Sequence, residues 1–153
     1  MFSRTFASAV LVLGLICLTG CSSAPRFAHI GVRVTEIKPA AGNELVLSLK
    51  FISSNTLPLI AAQADYKLTL NGQRIGEIHS TDPVGIPPLG STTQDVRVPA
   101  ALAESIRRLA TANAGPTAYD LASTLFIVWG DDDTAAYKTS SEGSLTLKPQ
   151  PTP

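Results

Sequence analysis

Residues 51–77, FISSNTLPLIAAQADYKLTLNGQRIGE, decide how the chain folds. Phe51 closes an alternating run, Leu45-Leu47-Leu49-Phe51, with Val46, Ser48, Lys50 and Ile52 on the other parity. Successive side chains of a strand point to opposite faces, so period-two alternation predicts a strand with one face buried. Asn55 to Pro58 break the run. Tyr66, Leu68 and Leu70 then alternate with Asp65, Lys67 and Thr69, and Asn71-Gly72 follows at once, ahead of Ile75 and Ile78. Asn-Gly between strand patterns predicts a type I′ hairpin, because both central residues of that turn need positive φ.

The rest of the chain extends the same reading. Ile30, Val32 and Val34 alternate with Gly31, Arg33 and Thr35. Pro83, Pro87, Pro88 and Gly90 interrupt regular structure, and Val96 and Val98 mark a short strand. The period changes after Pro99: Leu102, Ile106 and Leu109 fall on one helical stripe, predicting a helix over about 99–112 that plugs one end of the fold. Glu104 and Arg108 form an i,i+4 pair on its wet side. LASTLFIVW, residues 121–129, reads as the strongest strand, and its end is apolar on both faces. Such a strand is either covered on both sides or leaves a patch. Ala135-Ala136-Tyr137 and Leu145-Thr146-Leu147 close the sheet, and residues 148–153 form a tail. About seven short strands with turn signals between them predict a mainly β, immunoglobulin- or fibronectin-III-like antiparallel sandwich with one helix.

The N-terminus predicts an address. One charge at Arg4 precedes an apolar run from Phe6 to Leu18. The run is too short for a relaxed membrane span of roughly 20 residues and suits a secretory signal. It ends Leu18-Thr19-Gly20-Cys21, which resembles the bacterial lipobox. The resemblance implies cleavage between Gly20 and Cys21 and lipid, palmitate included, on Cys21; ordinary cleavage with a free cysteine is the alternative. Ser22 stands after the cysteine, where Asp tends to retain lipoproteins in the inner membrane, so the resemblance implies an outer-membrane anchor facing the periplasm. The expected organisation is a signal peptide over 1–20, a lipidated tether over 21–27 and one domain over 28–147. Removal of Arg4 from 12 basic residues leaves 11 against 12 acidic, which argues against an electrostatic grip on nucleic acid.

The opening stretch also carries a family resemblance. Asn55-Thr56-Leu57-Pro58-Leu59, the hairpin Tyr66-Lys67-Leu68-Thr69-Leu70-Asn71-Gly72, then Pro87-Pro88-Leu89-Gly90 and Val96-Arg97-Val98-Pro99, resemble the signature of the WHy domain. That is the water-stress and hypersensitive-response domain of the second class of late embryogenesis abundant proteins. Its motif positions here are Asn55, Pro58, Tyr66, Asn71, Gly72, Pro87 and Gly90, all structural. Family loops often carry Asn and Pro adjacent, whereas Thr56 and Leu57 separate them here. The resemblance implies a compact sandwich and a non-enzymatic part in desiccation or related stress.

Chemistry-bearing residues are sparse. His29 and His79 stand 50 positions apart without ligand spacing, and no Gly-x-Ser-x-Gly elbow is present. Asp131-Asp132-Asp133 reads as a polar turn, with a calcium site as the alternative. Arg107-Arg108 reads either as charge at a helix C-terminus or as a contact to anionic lipid. Phe126, Val128 and Trp129 read as core or as an apolar client-binding face. The expectation is a non-catalytic envelope lipoprotein, without cofactor or metal, that protects unfolding proteins or the membrane surface in stress. The alternative is a lipoprotein subunit tethering an envelope-spanning assembly or transporter to the outer membrane.

Overall fold

A computed structural model describes residues 26–41, 44–112, 115–129 and 133–147. In chain order the elements are β1 (Ile30–Pro39), β2 (Leu45–Ser53), β3 (Leu59–Leu70), β4 (Gln73–Ser80), β5 (Val84–Ile86), β6 (Ser91–Val98), α1 (Ala100–Ala112), β7 (Pro116–Trp129) and β8 (Asp133–Thr146). One sheet has the order β1-β2-β6, the other β4-β3-β7-β8, and β5 pairs with the first residues of β3. Every pairing is antiparallel. The chain changes sheet between β2 and β3, between β5 and β6, and through α1, which yields a β-sandwich.

Alternation decides which face is buried. Leu45, Leu47, Leu49 and Phe51 of β2 join Tyr66, Leu68 and Leu70 of β3 and Leu121, Leu125 and Ile127 of β7 in one core. The edge strands β1 and β8 lie against each other, and the Ile30 amide donates to the Tyr137 hydroxyl at 3.0 Å. Burial pushes the Tyr66 phenol well above its ordinary range, with the Asp65 charge adding to the effect.

The hairpin forms as its residues require. Asn71 has φ 48° and Gly72 φ 75°. The Asn71 amide donates to the Ala118 carbonyl and its Oδ1 accepts from the Ala118 amide, each at 2.8 Å, so the turn is lashed to β7. Ile75 and Ile78 are both buried, although an odd spacing should put them on opposite faces. A bulge reconciles this: Leu68 pairs with Gly76 and Thr69 with Arg74, leaving Ile75 as the extra residue. Gly76 sits at φ 151°, and a Cβ there would lie 2.6 Å from Leu102 Cδ2, so α1 docks on this bulge.

Several expectations shift. The buried stripe of α1 is Ala103, Ile106 and Ala110, while Leu102 and Leu109 pack half-buried along one flank of it. Alanines in the stripe let the helix approach, and the longer leucines cover one edge of the contact. Glu104 meets Arg107 at 3.8 Å rather than Arg108, which donates to Ser105 Oγ. Pro99 precedes the helix instead of beginning it, and its carbonyl accepts from the Leu102 and Ala103 amides. Val84–Ile86 adds an eighth strand among the prolines. β7 begins at Pro116 instead of Leu121, and proline is tolerated as the first residue of a strand.

β8 is one continuous strand in place of the two short ones expected. Its middle, Lys138 to Ser144, is polar because an edge strand turns most of its residues to water. Gly143 keeps it close to β7: a Cβ there would lie 2.8 Å from the Tyr119 ring.

Gly72→Ala is expected to cost about 1–2 kcal/mol from backbone strain alone, since nothing lies within 4 Å of the added Cβ. Gly76→Ala should cost more, and Leu102→Ala in the same chain should return part of the difference. Denaturant unfolding of the three variants checks the order.

Candidate functional site

Asn55 organises one end of the sandwich. It is buried, and its Oδ1 accepts from the Ala28 amide at 2.8 Å. Its Nδ2 donates to the Ala28 carbonyl at 3.3 Å and to Ser53 Oγ at 3.1 Å. The Asn55 amide donates to the same Ser53 Oγ, and its carbonyl accepts from the Leu89 amide at 2.8 Å. The amides of Ser53 and Ser54 donate to the carbonyls of Gly90 and His29. One residue thus joins the segment before β1, the β2–β3 loop and the β5–β6 loop. Gly90 fits because a Cβ would press on Pro87 at 3.2 Å. The remaining motif positions serve the framework. Pro58 is exposed beside this loop, Tyr66 is in the core, and Asn71 and Gly72 form the turn at the far end.

The same end collects apolar surface. Among the described residues the exposed large apolar side chains are Leu57 (70% exposed), Ile60 (53%), Leu89 (71%), Val128 (37%) and Trp129 (45%). Leu57 and Leu89 are in the two loops held by Asn55, Ile60 is the second residue of β3, and Val128 and Trp129 end β7. Trp129 shares a surface recess with Arg26, Phe27 and Tyr137. The Phe27 and Tyr137 rings meet edge to face with centroids 6.3 Å apart.

Phe126 and Val128 lie on the outer face of β7, opposite the buried Leu125 and Ile127, and α1 packs against β4 instead of over them. Trp129 has the other parity and reaches the surface because the strand ends there. The expected three-residue face is therefore a partly buried Phe126 with two exposed neighbours pointing different ways. Leu57, Ile60 and Leu89 are not singled out by pattern reading. The available signal is an apolar residue inside or beside a Pro- or Gly-rich turn, where no strand or helix stripe can hide it.

Polar candidates are spread over open faces. His79 Nδ1 lies 2.6 Å from Asp65 Oδ1, with Lys67 and Glu77 beside them on the β3–β4 surface. On the other sheet, Lys38 Nζ is 2.7 Å from Asp95 Oδ2, and Ser48 Oγ donates to Asp95 Oδ1. These bonds, the lysine's first, hold the Asp95 carboxyl below its ordinary range. His29 is exposed near Gly31. No group of three or more His, Cys, Asp or Glu able to hold a metal ion occurs among the described residues. Gly20, Cys21, Asp131 and Asp132 lie outside the described residues.

No family model matches the chain, and no curated protein matches it. Solved structures do. A solution structure of an Arabidopsis thaliana protein is similar at 17% identity and TM-score 0.55, over 85% of this chain and 89% of that one. A solution structure of a candidate late embryogenesis abundant (LEA) protein is similar at 18% identity and TM-score 0.53, over 94% of this chain and 86% of that one. A crystal structure of an Archaeoglobus fulgidus protein gives 18% identity and TM-score 0.44, over 80% of this chain and 98% of that one. The first two establish the fold: this chain has the sandwich of these two solution structures, the second of them that of the candidate LEA protein, as the motif resemblance implied.

Asn55→Ala is expected to cost about 1–3 kcal/mol, because it removes the side-chain bonds to Ala28 and to Ser53 Oγ at the junction of three segments. Thermal or denaturant unfolding measures it. The Asp95 contacts matter less: the group is half exposed, so their contribution is small. Its folded pKa is lowered, so that contribution is present above the ordinary carboxylate range and lost as pH falls through the folded value. Asp95→Asn should therefore remove a small stability increment at neutral pH and none at strongly acidic pH, read from paired pH–stability curves.

Proposed function

We propose that this chain is a lipid-anchored envelope protein whose LEA-type sandwich shields neighbouring proteins or the membrane surface during water loss. The observation that carries the reading is the fold shared with the LEA structure, built on the Asn55 loop and the Asn71-Gly72 hairpin. The lipobox-like Leu18-Thr19-Gly20-Cys21 supports acylation of Cys21, and Ser22 supports transfer to the outer membrane, facing the periplasm. The reading is non-catalytic. Its support is that the polar pairs Asp65–His79 and Lys38–Asp95 stand on open sheet surfaces, not in a cleft that could exclude water from a reacting group. Shielding would act by steric separation and by weak apolar contact, since the long edge strand β8 carries charges, Lys138 and Glu142, that discourage strand pairing.

A labile enzyme dried and rehydrated with this protein should recover more activity than with an inert protein at equal mass. Equal recovery would sink the shielding role and favour the tethering subunit, which crosslinking in the envelope would then reveal as one stoichiometric partner.

A further inference from the structure

We propose that the Asn55 end of the sandwich rests on the lipid bilayer, with Leu57, Ile60, Leu89, Val128 and Trp129 entering the headgroup region. The inference deepens the proposed function and takes from it the anchor at Cys21. Three observations converge. First, all exposed large apolar side chains among the described residues are at this end, and none of them is on the hairpin or helix end. Second, the N-terminal chain emerges here: Ala28 is bonded to Asn55, and Arg26 and Phe27 border the same recess as Trp129. Each residue between Cys21 and Arg26 can extend at most about 3.3–3.6 Å, so a lipid on Cys21 would hold this end, rather than any other surface, at the membrane. Third, Leu89 keeps a left-handed backbone, φ 47°, while its amide is fixed to the Asn55 carbonyl. Positive φ is uncommon for a non-glycine residue, and here it accompanies a side chain turned out to solvent.

The chemistry fits an interface more than a protein groove. The residues sit on loop tips and strand ends and include a tryptophan, the residue type that favours the bilayer–water boundary. Charge does not drive the contact. Arg26 shares its recess with Asp133, so the surface suits zwitterionic headgroups and apolar insertion.

Trp129 is the chain's single tryptophan, so its emission reports this end alone. The full-length protein, purified from membranes and reconstituted in phosphatidylcholine vesicles, should show blue-shifted emission. Bromine on the acyl chains near the carbonyls should quench it, and dissolved iodide should quench it poorly. Leu57→Ser with Leu89→Ser should weaken bromine quenching while leaving the circular dichroism spectrum unchanged. Emission indifferent to brominated lipid and open to iodide overturns the proposal. So does a blue shift that grows with protein density without bromine quenching, which indicates a second copy as the occupant. The mass of the same sample reads acylation separately. An acylated chain with unquenched Trp129 keeps the anchor and removes the bilayer contact; a quenched Trp129 on an unacylated chain does the reverse.

Discussion

A buried amide with its hydrogen-bonding positions matched is the constraint on which this sandwich depends. The Asn55 side chain accepts once and donates twice, and Ala28 and Ser53 take all three bonds. Few side chains could replace it. An aspartate would set an oxygen against the Ala28 carbonyl, and an alanine would leave both backbone groups of Ala28 without this partner. The bonds span 27 positions to Ala28 and, through the backbone, reach Leu89, so they fix where three segments meet. That junction sets the start of β1, the crossover into β3 and the return into β6. Strand pairing extends from it in both sheets.

The other end is held by different means. The hairpin is lashed to β7 at Ala118, and the bulge at Ile75 opens a place where Leu102 rests on Gly76. Backbone geometry and close approach do there what a buried amide does at the Asn55 end. The two ends consequently differ in surface: one closes over with a helix, and the other leaves loop tips and the end of β7 open to solvent.

Strands with clean alternation are legible because burial on one face writes itself into the sequence at period two. The Asn71-Gly72 turn is legible because its φ values admit few residues. Other features are hidden for physical reasons. β5 is three residues long, too short to show a period. The middle of β8 is polar because it forms an edge, so it resembles a loop. The helix stripe reads away from its true centre because alanines at the contact carry little hydrophobic signal yet decide the approach. Asn55 stands out in its motif, but its partners do not, since nothing local links it to Ala28. The apolar end is invisible for a related reason: exposure of Leu57 and Leu89 depends on which loops the fold gathers.

How little contact energy such an end would need follows from the proposed tether. A short linker raises the local concentration of the second contact to roughly the millimolar range. At that concentration an interaction of about 4 kcal/mol is half occupied. Full burial of one large apolar side chain is worth about 1.5–3 kcal/mol, so partial burial of several suffices. The lipid would supply residence and the five side chains orientation. Orientation would matter for the proposed shielding, because it would stand the two open sheet faces upright on the bilayer. Asp65–His79 on one face and Lys38–Asp95 on the other would then meet whatever crowds against the protein as water is withdrawn.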